Sequence, residues 1–290
     1  MRAASRSEYL EIRGLRYHLR RWGPESAPLV YLMHGLLDVS ASMQLMVESF
    51  RQPWNIVAPD WRGCGLTEWP QDGYWFQDYI ADLDAIVTRY SGDTPALFVG
   101  HSMGGHAASL YAGIRPARVA RLVILDSVGI PDMPAELAPK RFDRWLKDLA
   151  DPPQNKTYAS FAELGARVRH RHPKLTPERA EFVARCWGAE TRAGHIELLG
   201  DPRHRLRMPS LYRAAESVAI WQQVAAPVLC IDAGESGLNQ MLPPEEKTRR
   251  RAAFRDLRTA VVSGASHMLH HDHPAETAAL IEDFLLGSKA

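Results

Sequence analysis

The feature that most constrains this chain is a series of six short, nearly continuous apolar runs, at residues 29–33, 56–58, 96–99, 122–125, 228–231 and 260–262. A strand with one wet face alternates apolar and polar residues, so unbroken runs this short suit strands buried on both faces. Between several of them lie helical patterns, such as Tyr79, Leu83, Ile86 and Tyr90, or Ala278, Leu280, Ile281, Phe284 and Leu285. Strands alternating with helices imply an α/β fold, a mostly parallel central sheet flanked by helices on both faces. The 290 residues suffice to bury such a core as one domain. Ahead of these runs, residues 9–12 and 15–22 alternate large apolar and polar side chains around Arg13-Gly14, which predicts a half-exposed β-hairpin.

From 127 to 223 the rhythm stops. This stretch has no buried-strand run, only amphipathic helical patterns broken by Pro131, Pro134, Pro139, Pro152, Pro153, Pro173, Pro177, Pro202 and Pro209. The expected organisation is therefore a core at 1–126 and 224–290, with a helical cap inserted at 127–223. Phe142, Trp145, Leu146, Leu149, Phe161, Leu164, Phe182, Trp187, Leu211 and Tyr212 are spaced like buried helix faces. Most of them are expected in the cap's own core, with a few lining an apolar pocket.

Charge excludes several partners. With 35 basic against 34 acidic side chains, no overall field favours nucleic acid or an anionic membrane. The run Arg249-Arg250-Arg251 reads as a solvated helix face. Three scattered cysteines, Cys64, Cys186 and Cys230, form neither a disulfide framework nor a zinc spacing and suit a reducing compartment. The stretch from Met1 to Tyr9 is polar and lacks the apolar middle of a secretory signal, and no segment is apolar for long enough to span a bilayer. These readings predict a cytoplasmic monomer or homodimer with no nucleic-acid partner and no membrane insertion.

The strongest motif is Gly100-His101-Ser102-Met103-Gly104, preceded by the apolar run 96–99 and followed by an alanine-rich helical pattern that Arg115-Pro116 ends. Strand, sharp turn and helix force the serine into a strained backbone conformation, and small residues at Gly100 and Gly104 let the helix pack back on the strand. The same geometry places the Met103 N–H where negative charge develops on an attacked carbonyl. His34-Gly35 follows the first buried run, a place from which the Leu36 N–H reaches that charge. Asp60 and Arg62, in Asp60-Trp61-Arg62-Gly63-Cys64-Gly65, are expected to anchor a tight loop, and Asp38 to bond backbone and shape the same site. His267 lies in a loop past the last strand run, the place for a general base serving Ser102. His270, His271 and His273 follow it at a spacing that matches no zinc pattern, so neither metal nor cofactor is expected. His18, His106, His170, His172, His195 and His204 are read as structural or surface residues.

With His34-Gly35, Asp60-x-Arg62-Gly63-x-Gly65, Gly100-His101-Ser102-Met103-Gly104-Gly105 and His267 in this order, the chain resembles the α/β-hydrolases, in their serine hydrolase and esterase branch. The resemblance implies Ser102 as nucleophile, the backbones of Leu36 and Met103 as oxyanion donors, and His267 as base. It leaves the acid open. The family usually keeps it after the penultimate strand, where this chain reads Ile231-Asp232-Ala233-Gly234-Glu235-Ser236-Gly237 and the expected position holds Gly237. Dehalogenase-like and serum-hydrolase-like members place it instead at the end of the strand before the cap, and Asp126 stands there. Asp126 is the first choice, Glu235 the alternative and Asp232 the third, while Asp126 also has a reading as a helix cap.

The residues in these roles imply a carboxylesterase working through an acyl-enzyme, and the apolar content of the 127–223 stretch points to small to medium uncharged esters. Carbon–carbon bond hydrolysis or another acyl transfer on the same residues, and a non-catalytic small-ligand binder of the same fold, are the competing readings. Epoxide hydrolases and dehalogenases are excluded by Ser102, since those relatives carry an aspartate there.

Overall fold

The computed structural model describes residues 4–287, so Met1–Ala3 of the polar N-terminal stretch lie outside the described residues. Among those residues there are eleven strands: β1 (Ser5–Ile12), β2 (Leu15–Trp22), β3 (Leu29–Met33), β4 (Asn55–Pro59), β5 (Ala96–His101), β6 (Val119–Leu125), β7 (Thr157–Tyr158), β8 (Gly188–Glu190), β9 (Ile196–Leu198), β10 (Val228–Ala233) and β11 (Leu257–Val262). Eight of them form one sheet in the order β1-β2-β4-β3-β5-β6-β10-β11. The hairpin β1–β2 and the β2–β4 pair are antiparallel, and every pairing from β4 across to β11 is parallel.

Strand periodicity explains why the runs are apolar throughout. Tyr31, Met33, Phe98, Leu122, Ile124, Val228 and Cys230 point to one face, where they meet Tyr79, Leu83 and Ile86 of the helix Phe76–Tyr90 and Ala107, Ala108 and Tyr111 of the helix Met103–Ile114. Their neighbours Val30, Leu32, Val99, Val123, Leu125, Leu229 and Ile231 point to the other, against Met43, Met46 and the helix Pro274–Leu285. Each strand therefore contributes to two cores at once.

Two strands depart from the expected burial. β11 pairs only with β10, so it is an edge strand, and Val261 is 60% exposed. β2 is expected half-exposed, yet Tyr17, His18, Leu19, Arg21 and Trp22 are buried, with Tyr17 and Leu19 in the core on one face of the sheet and Trp22 in the core on the other.

β6 and β10 are sheet neighbours, and the chain between them leaves the sheet and returns. This inserted segment corrects two expectations. It holds a small antiparallel sheet, β7-β9-β8, although no apolar run announces it. Strands of two or three residues are too short to leave a periodic signature. The helix Ala138–Ala150 buries no residue at all: Phe142, Leu146 and Leu149 are 50%, 59% and 48% exposed. Amphipathic spacing describes a face and does not say whether anything covers it. The segment's core comes instead from Leu164, Val168, Leu175, Ala180, Val183, Ala184 and Ile196, with Phe161, Phe182 and Trp187 packed against it.

Candidate active site

The sharp turn after β5 carries Ser102 at φ 49°, ψ −118°, a region that residues with a Cβ rarely occupy. The surroundings hold it there. Its N–H donates to Leu125 O (2.9 Å) on β6, and its carbonyl accepts from His106 N (2.9 Å) in the first turn of the following helix. A Cβ on Gly100 would lie 2.6 Å from Gly104 C and Gly105 Cα, and one on Gly104 would lie 2.5 Å from His34 O. Only glycines let the helix sit this close to β5 and β3. Gly105 belongs to the same contact, since its Cβ would stand 2.6 Å from Gly100 O.

From this turn Ser102 Oγ lies 3.0 Å from His267 Nε2, across 165 residues of chain. His267 Nδ1 is 2.6 Å from Asp126 Oδ2. Asp126 follows β6 at φ 48°, with its N–H bonded to Ile231 O (2.8 Å), and its side chain is fully buried. Its carboxylate also accepts from Ala233 N (3.1 Å) and Ser236 Oγ (2.5 Å). Because a carboxylate only accepts, His267 carries its proton on Nδ1 and turns the Nε2 lone pair to the serine. A hydroxyl beside an imidazole lone pair, oriented by a buried carboxylate, is the arrangement that deprotonates an alcohol as it attacks a carbonyl.

The other two acids lie elsewhere. Glu235 pairs with Lys174 Nζ (2.5 Å), and Asp232 with Arg251 Nη2 (2.6 Å).

The His267 loop is held by residues that sequence reasoning did not single out. Asp272 Oδ2 accepts from both Ser266 N (2.8 Å) and Ser266 Oγ (2.5 Å), and Arg179 Nη1 caps the Asp272 carbonyl (2.7 Å). His101 Nε2 donates to the His267 carbonyl (2.7 Å). Nothing in their spacing marks these residues, because each acts through backbone that the fold brings near.

The loop after β3 approaches Ser102 closely. A Cβ on Gly35 would meet His101 Nδ1 at 2.8 Å and Ser102 Cβ at 3.1 Å, so this position excludes any side chain. Leu37, at φ 61°, closes a turn in which Asp38 N donates to Gly35 O (3.3 Å). His34 braces the turn: Nδ1 donates to Gly35 O (2.7 Å), Nε2 accepts from Trp61 N (2.9 Å), and His34 O accepts from Trp61 Nε1 (2.9 Å). One ring nitrogen donating and one accepting requires a neutral imidazole, and burial lowers the His34 pKa accordingly. Met103 starts the helix, where the first N–H groups have no intrahelical acceptor.

Asp60 and Arg62 are anchors. Asp60 accepts from Ser40 N, Leu66 N and His18 Nδ1, and Arg62 forks onto Asp82 at 2.7 and 2.8 Å. Asp38 does more than bond backbone, since Oδ1 accepts from Val39 N (2.9 Å), Ser42 Oγ (2.6 Å) and Trp187 Nε1 (2.6 Å). Burial alone would raise its carboxyl, but the His270 hydrogen bond and the nearby His271 hold it well below the usual range.

Two further histidines, half-buried His106 and buried His204, are neutral. His106 sits among the rings of Phe76, Tyr212 and Trp221, and burial, with Arg250 adding to it, lowers its pKa to about 4. His204 stacks on Tyr74 (centroids 3.7 Å apart), and burial outweighs Asp201 to bring it also to about 4. Unfolded, both titrate near 6.5. Between those values the unfolded chain binds more protons at these two sites, so their contribution lowers stability as pH drops from 6.5 towards 4 and then levels. Urea midpoints measured across that window should decline, and His204→Gln should make the decline shallower; an unchanged slope would contradict the assignment.

Residues 28–274 match the family model for the alpha/beta hydrolase fold. A serine hydrolase-like protein of Danio rerio is 25% identical over 276 residues, covering 91% of this chain and 83% of that protein. An AB hydrolase superfamily protein of Bacillus subtilis is 24% identical over 292 residues, covering 96% and 97%. Among solved structures, a thioesterase domain from the curacin biosynthetic pathway superposes with a TM-score of 0.86 at 24% identity, covering 96% of this chain and 99% of that one. No helix among the described residues is long and apolar enough to cross a membrane. A model match over most of its length, on a sheet of this topology, means that the chain belongs to the alpha/beta hydrolase fold family.

Proposed function

We propose that the chain is a serine hydrolase that cleaves carboxylic esters through an acyl-enzyme on Ser102. The observation that carries this reading is the relay of 3.0 Å from Ser102 Oγ to His267 Nε2 and 2.6 Å from His267 Nδ1 to Asp126 Oδ2. His267 takes the serine proton as Oγ attacks the acyl carbon and returns it to the departing alcohol, and water then attacks the acyl-enzyme with the same base. The N–H groups of Leu36 and Met103 receive the oxyanion. Gly35 supports this role, because a Cβ there would meet Ser102 Cβ at 3.1 Å, so a glycine is what lets this loop lie against the serine.

The segment 127–223 acts as a cap over the site, tied to it by Trp187 on Asp38 and Arg179 on the Asp272 carbonyl. The substrate is a small to medium uncharged ester. Turnover of p-nitrophenyl esters graded in acyl length and charge tests this: short and medium neutral chains should be hydrolysed best. A strong preference for charged acyl groups, or no turnover of any ester by folded protein, would contradict it.

Gly35→Ala should lower kcat about 100-fold, the effect of roughly an ångström of misplacement at the reacting centre, while far-ultraviolet dichroism stays that of the parent. Unaltered kcat would remove Leu36 from the oxyanion role.

A further inference from the structure

Beside the triad lies a second cluster whose side chains take no proton and touch no reacting atom in the ester chemistry. Asp38 from the loop after β3, His101 at the end of β5 and His270 in the short helix Leu269–Asp272 each present a donor atom, and these atoms all lie within 4.8 Å of one another. All three residues are buried. Chain spacing concealed the set, since its members come from three distant segments.

We propose that Asp38, His101 and His270 bind a transition-metal ion of the Zn²⁺ type and that its binding represses the triad.

The ring nitrogens are the first argument. His101 Nε2 sits 2.7 Å from the His267 carbonyl, which can only accept, so Nε2 carries the proton. In the neutral ring Nδ1 is then a bare lone pair, and it has no hydrogen-bond partner among the described residues. His270 Nδ1 and both nitrogens of His271 are likewise buried without partners. Buried polar atoms are rarely left so, and three adjacent imidazoles with idle nitrogens call for an explanation. A ligated ion supplies one for the lone pairs.

The carboxylate is the second argument. Three donors on Oδ1 fix Asp38, while Oδ2 accepts from His270 Nε2 (3.2 Å) with His271 Nε2 3.9 Å away, so an ion on Oδ2 takes the place of the proton on that His270 nitrogen. Outer bonds of this kind are how proteins orient a metal-ligating carboxylate. Two imidazoles and one carboxylate are a set that, with a solvent molecule as fourth ligand, suits tetrahedral Zn²⁺, with bonds of about 2.0–2.2 Å. That geometry puts donors about 3.3–3.5 Å apart; Asp38 Oδ2 and His270 Nε2 already stand at 3.2 Å, so contraction on binding falls on the wider separations to His101, which lie within 4.8 Å.

Contraction is what reaches the active site. His101 precedes Ser102 in the chain and holds the His267 carbonyl, so drawing its ring towards an ion shifts His267 against the serine. This coupling rests on the serine hydrolase reading; the binding does not.

Titration of the full chain with Co²⁺ tests the binding. One ion per chain with the intense visible bands of tetrahedral nitrogen-oxygen coordination is expected. Competition with a chromogenic chelator should show Zn²⁺ affinity falling at least tenfold in Asp38→Asn and in His270→Gln, and unchanged in His170→Gln and His195→Gln, whose histidines are exposed. Pale octahedral Co²⁺, or affinity lost only in the exposed-histidine variants, overturns the site. Should the buried variants fail to fold, anomalous diffraction from parent crystals soaked in Zn²⁺ decides: a peak within bonding distance of Asp38, His101 and His270 supports the site, and a peak elsewhere or none overturns it. Bound Zn²⁺ should lower kcat with KM unchanged. Stoichiometric binding with full turnover overturns the coupling, whereas binding in a protein that hydrolyses no ester counts against the hydrolase reading and leaves the site standing.

Discussion

Ser102→Ala should abolish ester turnover, lowering kcat by about 10⁴-fold or more, with the fold intact. Removing the alcohol takes away the nucleophile itself, and the remaining oxyanion donors and binding surface supply only the residual catalysis that survives loss of a triad member. Stability should hardly change, because the hydroxyl has one hydrogen bond, to a half-buried imidazole. Ser102→Gly separates chemistry from strain. It is equally inactive, yet it relieves a side chain held at φ 49° and should be more stable than Ser102→Ala, by about 1 kcal/mol in urea unfolding. Parent-like turnover in Ser102→Ala, or a glycine variant less stable than the alanine one, would contradict the account.

Asp126→Asn should lower kcat about 10⁴-fold with little change in KM, the effect expected when an imidazole loses the carboxylate that sets its tautomer. The amide can offer N–H to His267 Nδ1, which drives the ring proton to Nε2 and leaves no lone pair facing Ser102. The substitution also disturbs the bonds from Ala233 N and Ser236 Oγ, so a stability measurement belongs beside the kinetics. Glu235→Gln should fall within about threefold of the parent, since Glu235 meets Lys174 at the surface and a surface ion pair contributes little. A larger loss in Glu235→Gln than in Asp126→Asn would reverse the choice of acid.

What the sequence reveals follows from how local each feature is. The elbow is legible because strand, glycines, serine and helix lie within about twenty residues, and its strain follows from their order. The fold class is legible because a two-faced strand leaves an unbroken apolar run, as in 29–33 and 122–125. Choosing among Asp126, Glu235 and Asp232 is not local, because all three stand beside strand ends at one rim of the sheet. Their difference lies in partners: Arg251 and Lys174 hold the latter two, and neither is close in sequence. The same holds for Asp272 and Arg179, whose work on backbone groups leaves no pattern. In the inserted segment, helical spacing at Phe142, Leu146 and Leu149 anticipated burial that the fold does not supply, since among the described residues that face stays exposed.

The central claim is that the Ser102 oxygen is made nucleophilic by His267. Intact-mass spectrometry after treatment with a fluorophosphonate tests it most directly. One adduct per chain, mapped to Ser102, absent in Ser102→Ala and formed far more slowly in His267→Ala, is the predicted result. Folded protein that takes no label, or a label that persists in Ser102→Ala, would contradict it.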